Sequence, residues 1–187
     1  MVKKNACVFI SGYGSNLKTL IHKSRNHNFP INISLVICNN VNARGILHAK
    51  KNSIPLLMIN TKKRNFENLI HREILKHKIS LICLAGYMKI ISKKFIYKFG
   101  KTIINIHPSL LPKYKGLNTF ERVLDNEEIK TGCTVHYVNE KLDSGKFIVK
   151  KSFFINKGDK VINLKQKTQQ LEHKAFPEAI IKIFRYI

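Results

Sequence analysis

Three side chains that can hold or move a proton stand two residues apart, at Asn105, His107 and Ser109. They close an apolar run, Ile103-Ile104-Asn105-Ile106, that reads as the end of a buried strand. Period-two spacing on an extended segment puts such side chains on one face. An amide and a donating imidazole suit a developing oxyanion, and donors aimed there are commonly worth about 3–4 kcal/mol each. Pro108 and Pro112 restrict the residues before them to extended or turn geometry, which stiffens the loop. Polar groups at a strand's end, held by a stiff loop, fit an active site at the carboxyl edge of an α/β sheet. A second reading stays open on local composition, a proline-rich crossover with a hydrogen-bonded histidine.

The stretch Gly12-Tyr13-Gly14-Ser15-Asn16 is the other candidate. A glycine-containing loop that feeds a helix N-terminus offers backbone N–H groups to an anion. It is a poor dinucleotide fingerprint, because Leu17 stands at the third glycine position and no acidic residue follows the second strand. The first acidic residue of the chain is Glu67. A phosphate monoester therefore fits better than a nicotinamide cofactor, and an ordinary strand–helix turn with Ser15 as N-cap competes with both. His136 alternates along a strand and reads as packed or hydrogen-bonded. Glu172-His173 reads as a helix-surface pair. No Gly-x-Ser-x-Gly frame is present and the histidines do not cluster at ligand spacing, so neither a hydrolase elbow nor a metal site is expected. Cys7, Cys38, Cys83 and Cys133 form no Cys-x-x-Cys pair and lie in apolar segments, as reduced, buried thiols do.

The elements that would position these groups follow from hydrophobic pattern. Residues 6–11 read as a buried strand, and a helix of about ten residues follows the glycine loop. Strands over 33–38 and 55–59 flank a helix over 43–52, whose apolar face is Ala43, Ile46, Leu47 and Ala49. Residues 65–77 have helical spacing through Phe66, Leu69, Ile70 and Ile74. The run 80–85 is apolar throughout, which implies burial on both faces. A helix over 92–99 and a strand over 102–106 come next. This alternation predicts a Rossmann-like, doubly wound, mostly parallel sheet. Residues 131–138 and 147–155 add an antiparallel C-terminal strand pair, and 161–184 a C-terminal helix that Pro177 should interrupt or restart. At 187 residues and 44% hydrophobic, with no linker or repeat, the chain reads as a single α/β domain over 1–187. It has no apolar run of about 18 residues, so no membrane span and a cytoplasmic location are expected.

The segment Asn105-Ile106-His107-Pro108-Ser109-Leu110-Leu111-Pro112 resembles the signature of the folate-dependent formyltransferases, and the likeness runs almost end to end. It takes in Ser11-Gly12-Tyr13-Gly14-Ser15-Asn16-Leu17, Leu84-Ala85-Gly86-Tyr87-Met88-Lys89, Gly132-Cys133-Thr134-Val135-His136, Leu142-Asp143-Ser144-Gly145 and Gln169-Gln170-Leu171-Glu172-His173. Several motifs in order are far more specific than any one alone. Within that family the likeness is to enzymes that formylate glycinamide ribonucleotide in purine synthesis, with 10-formyltetrahydrofolate as co-substrate and no metal or covalent enzyme intermediate. The resemblance implies catalysis by Asn105, His107 and Asp143. The amine would attack the formyl carbon directly, with the oxyanion held by Asn105 and His107 and with Asp143 assisting. It implies that Gly14, Ser15, Asn16, Leu17 and Lys18 bind glycinamide ribonucleotide, with Gln169 and Glu172 near its glycinamide end. For the folate it points to Met88, Lys89, Ile90 and Ile91, to Asn105, and to the loop Asn139, Glu140, Lys141, Leu142 and Asp143. Backbone groups there would read the pterin edge while apolar side chains enclose the ring. Met88 and Ile90 are equally readable as plain core. Lys63 or its neighbour Arg64 stands where an arginine is usual, and Lys115, Asn118 and Ser144 depart from the family pattern.

A formal net charge of +23 invites a nucleic-acid reading. The lysines are spread along the whole chain rather than gathered in one arm or stripe, so a solvated basic surface is the better account. The expected partners are small-molecule substrates, with no specific nucleic acid and no membrane, and with the chain a monomer or weak homodimer. Methionyl-tRNA formyltransferases resemble the chain around the central loop but carry a further C-terminal domain and lack the Gly12–Asn16 phosphate loop, so that reading comes second. A non-enzymatic RNA-binding protein would leave the placement of Asn105, His107 and Asp143 without a cause.

Overall fold

The apolar run Ala6-Cys7-Val8-Phe9-Ile10 is wholly shielded from solvent and forms the C-terminal part of β1 (Lys4–Ile10). A computed structural model describes residues 2–185. Its elements continue with α1 (Ser15–Ser24), β2 (Ile31–Cys38), α2 (Ile46–Lys51), β3 (Leu56–Met58), α3 (Phe66–Lys76), β4 (Leu81–Leu84) and α4 (Lys93–Phe99). After these come β5 (Thr102–His107), α5 (Thr119–Asp125), β6 (Lys130–Tyr137), β7 (Phe147–Phe154) and α6 (Val161–Phe184). The strands make a seven-stranded sheet in the order β3-β2-β1-β4-β5-β6-β7. Backbone contacts gather into two compact units, Met1–Ile104 and Asn105–Ile187.

In the first unit β1 pairs in parallel with both β2 and β4, and β2 with β3. Every residue of β4 is buried, as an apolar strand covered on both faces should be. The sheet is α/β and doubly wound, as the alternation predicts. Ser92 caps α4 by accepting from Phe95 N–H at 3.0 Å. The predicted apolar face of α2 is only partly right. Ala49 is buried, but Leu47 is exposed and Ala43 lies ahead of the helix. All four cysteines are free and buried, and burial pushes the Cys133 thiol up to about 12.

In the second unit β6 and β7 pair antiparallel, with Gly132 opposite Ser152, and α6 packs on both. Pro177 does not interrupt α6, contrary to the sequence expectation. A proline inside a helix costs about 3 kcal/mol in isolation. Here Ala175, Phe176, Pro177, Ala179 and Ile180 are all buried, and that burial carries the helix through the missing hydrogen bond. The short helix α5 has no strong apolar period and was not expected from sequence. No helix among the described residues is long and apolar enough to cross a membrane.

The β6–β7 pair leaves no room at Gly132, where a Cβ would lie 1.9 Å from the Lys151 carbonyl oxygen. Gly132→Ala is therefore expected to lose about 1–3 kcal/mol of stability, as overpacked interiors do. Urea denaturation followed by circular dichroism reads this directly, and an unchanged midpoint would mean that β7 yields without cost.

Candidate active site

Strand β5 buries Ile103, Ile104 and Ile106 and presents Asn105 and His107 at alternate positions. The loop that follows is held by a side chain from its own sequence and one from β6. Ser109 donates its hydroxyl to the Lys113 carbonyl at 2.7 Å, so it serves the loop's shape. Thr134 on β6 donates to the Ser109 carbonyl at 2.7 Å and accepts from Leu111 N–H at 3.1 Å. This fixed loop returns the Tyr114 carbonyl to His107, whose Nε2–H donates to it at 2.8 Å.

On its other side His107 Nδ1 lies 3.3 Å from Asp143 Oδ2. A carbonyl and a carboxylate both only accept, so the geometry suits an imidazolium with a proton on each nitrogen. Burial nevertheless pulls the His107 pKa below its ordinary value, against the Tyr114 carbonyl and the Asp143 carboxylate, and the His136 ring and Arg122 add to the lowering. The Nδ1 proton is thus one that the site can give up.

Asp143 is only 7% exposed and has left-handed backbone at φ 45°. Its Oδ2 accepts from Gly116 N–H at 2.9 Å and its Oδ1 from Asn105 Nδ2 at 3.4 Å. Burial pushes this carboxyl up, but the His136 hydrogen bond, the Gly116 N–H and the two histidine rings outweigh it. Asp143 consequently titrates below the usual carboxylate range.

His136 is the member of the cluster that sequence reasoning set aside. It is hydrogen-bonded, as read, but it is also part of the site. Its Nδ1 donates to the Tyr137 carbonyl at 2.8 Å, and its Nε2 lies 3.2 Å from Asn105 Nδ2. The same Nε2 is 3.6 Å from Asp143 Oδ1. Strand alternation held the signal, because Thr134 and His136 share one face of β6, and Thr134 grips the Ser109 loop. Ser144, one of the departures from the family pattern, lies 3.0 Å from Asn139 Oδ1 and 2.8 Å from the Lys141 carbonyl, which knots the 139–144 loop ahead of Gly145.

The structure thus brings Asn105, His107 and Asp143 together. Gln169 and Glu172 stand on α6, the first exposed and the second half-buried. In the first unit Met88 is 70% and Ile90 72% exposed, so neither is core, whereas Ile91 is buried. Lys89, Lys63 and Arg64 are exposed. Gly14 is the N-cap of α1 at φ 73°, with no side-chain cap, and Lys18 N–H makes the first helical bond back to its carbonyl. Its glycine answers a backbone demand, since a Cβ there would sit 2.6 Å from Gly45 Cα. Leu17 is fully buried, so only its backbone can face a ligand. Among the described residues no group of three His, Cys, Asp or Glu side chains is arranged to hold a metal ion.

Comparison with known proteins gives this arrangement its setting. The formyl transferase family profile matches residues 4–180. The chain is 37% identical over 187 residues to a phosphoribosylglycinamide formyltransferase of Haemophilus influenzae, covering 97% of this chain and 87% of that protein. It is 38% identical over 182 residues to the trifunctional purine biosynthetic protein adenosine-3 of Homo sapiens, of which it spans only 18%. The crystal structure of phosphoribosylglycinamide formyltransferase from Brucella melitensis matches with a TM-score of 0.91 at 34% identity, covering 98% of this chain and 96% of that one. A profile match over nearly the whole chain, together with a relative and a solved structure alike over most of their own length, shows that this chain belongs to the formyl transferase family, among the phosphoribosylglycinamide formyltransferases.

Proposed function

We propose that the chain transfers the formyl group of 10-formyltetrahydrofolate to the amine of glycinamide ribonucleotide. The observation that carries this reading is the convergence of Asn105, His107 and His136 on one buried carboxylate, Asp143. The amine attacks the formyl carbon and a C–N bond forms, leaving an oxyanion and a cationic amine. Asn105 and the His107 ring are the groups that would donate to that oxyanion. Asp143, ionised at neutral pH, takes the amine's proton directly or through water. When the intermediate collapses, the bond to the folate nitrogen breaks and that nitrogen is protonated from His107 or solvent. The products are formylated glycinamide ribonucleotide and tetrahydrofolate.

For the folate, the first unit offers the exposed apolar pair Met88 and Ile90, and the second unit the exposed Leu142. Lys89, Ile91, Glu140 and Lys141 contribute backbone groups, and Lys63 or Arg64 a cation. The phosphate of the acceptor fits the start of α1, where Ser15, Asn16 and Leu17 offer backbone N–H groups at the positive end of the helix dipole. Lys18, Arg44 and His48 lie in or beside this loop, with Arg44 stacked 5.3 Å from the centre of the Tyr13 ring. Gln169 and Glu172 would meet the glycinamide end.

Asn105→Ala, His107→Ala and Asp143→Ala are each expected to lower kcat by about 10²–10⁴ with the fold retained. Steady-state turnover with glycinamide ribonucleotide as acceptor measures this, and full activity in any variant removes that residue from the mechanism.

Acid sensitivity offers a second check. Because the folded-state pKa of Asp143 is depressed, the unfolded chain binds the proton first as pH falls. The stability it contributes is complete above the unfolded value of about 4 and is lost as pH drops through the folded one. Asp143→Asn should flatten the dependence of Tm on pH below about 4, and an unchanged slope would mean that other carboxylates set it.

The phosphate assignment is tested at Gly12 rather than Gly14. A Cβ at Gly12 meets nothing within 4 Å, so a side chain there occupies ligand space without straining the loop. Gly12→Leu should raise KM for glycinamide ribonucleotide at least about tenfold and leave the folate Kd unchanged. Equal weakening of both ligands would make the loop a structural turn.

A further inference from the structure

The Nε2–H of His107 is aimed by the Tyr114 carbonyl, and that carbonyl depends on an unfavourable backbone state. Tyr114 has φ 56°, a left-handed conformation that is unfavourable for a residue with a side chain. Its side chain is tied down by three other residues. The phenol donates to Glu128 Oε1 at 2.7 Å, Lys113 Nζ reaches the same oxygen at 2.7 Å, and the Arg122 guanidinium lies 5.4 Å from the ring centre. Arg122 also donates to the Lys115 carbonyl at 2.7 Å. Between these anchors the 113–116 turn presents two groups to the cluster, the Tyr114 carbonyl to His107 and the Gly116 N–H to Asp143 Oδ2.

We propose that Glu128 is a positioning residue for His107 and Asp143, acting by holding the Tyr114 phenol so that the 113–116 turn keeps both of these groups aimed. The role in turnover rests on the formyl-transfer reading above, while the role in His107 geometry stands apart from it. Burial and then the Glu128 carboxylate push the Tyr114 phenol up, and hydrogen bonds from Lys113 and Tyr114 pull Glu128 down. The donor and the acceptor are therefore both in place at neutral pH.

The test compares Glu128→Ala, Tyr114→Phe and Glu128→Gln with the parent by kinetics and by NMR titration of ¹⁵N-labelled histidine. Removing either end of the Tyr114–Glu128 hydrogen bond frees the Tyr114 carbonyl, which now holds the His107 pKa up. In Glu128→Ala and Tyr114→Phe the His107 midpoint should move down, and kcat should fall roughly ten- to a hundredfold with both KM values nearly unchanged. Glu128→Gln keeps an acceptor for the phenol and should restore most of both. Tyr114→Phe nearly conserves volume, so it carries the test if Glu128→Ala does not fold. A parental His107 titration and kcat in the variants overturns the proposal, as does a rise in KM alone. If the parent transfers no formyl group, the functional reading fails and the His107 titration alone decides the positioning role.

Discussion

A carboxylate taken out of water sets the terms for the second unit. Among the described residues Asp143 is the acidic side chain that is buried, and an uncompensated ion in that position would cost several kcal/mol. The compensation arrives from three separate stretches of chain. Asn105 and His107 come from β5, Gly116 from the turn after the proline loop, and His136 from β6. Each of these stretches is fixed by something with no part in the chemistry. Thr134 and Ser109 hold the proline loop, the Tyr137 carbonyl holds the His136 ring, and Gly145 lets its own loop pass against the Tyr137 carbonyl, where a Cβ would be 1.8 Å away. The order around this cluster follows from satisfying one charge.

The first unit solves a different problem, the close crossing of two loops. Gly45 N–H donates to the Gly12 carbonyl at 3.0 Å, and the loops after β1 and β2 approach at Gly14 and Gly45 closely enough to exclude a Cβ on either. Around them the charge is one-sided. His48 is pulled below its ordinary pKa by burial and then by Lys18 and Lys51, which marks the loop as an electropositive place. An anion would relieve that repulsion, a physical reason for a phosphate there beyond the presence of glycines.

These two sites explain which features could be read from sequence. The strands were legible because their apolar runs are long and continuous, as at Cys7–Ile10 and Leu81–Leu84, where burial on both faces leaves no room for polar residues. Asn105 and His107 were legible because period-two spacing survives to the end of β5. His136 was not, since its meaning lies in a partner 31 residues away. Gly14 was read as an accommodation for ligand, whereas the structure gives a reason in Gly45, another residue distant in sequence. Pro177 misled because helix propensity is local while the burial that overrides it is tertiary. In each case what sequence alone does not show is a contact between residues far apart in the chain.

The excess of positive charge bears on encounter more than on chemistry. The chain holds 34 lysines and arginines against 11 acids, and several of the outer acids are already paired, Glu128 with Lys113, Asp159 with Lys167 and Glu178 with Lys151 and Lys182. Both proposed substrates are anions, so such a surface would raise association rates, an effect that weakens as salt shortens the screening length to about 8 Å at physiological strength. Within the buried cluster screening is weaker, and the neighbouring groups act on the two partners in opposite senses. The histidine rings help keep Asp143 ionised, while His136 and Arg122 make His107 harder to protonate. The proposed transfer, which takes a proton at a carboxylate and gives one from an imidazole, would use that opposition. It comes from the placement of a few charges inside the second unit, not from the total on the surface.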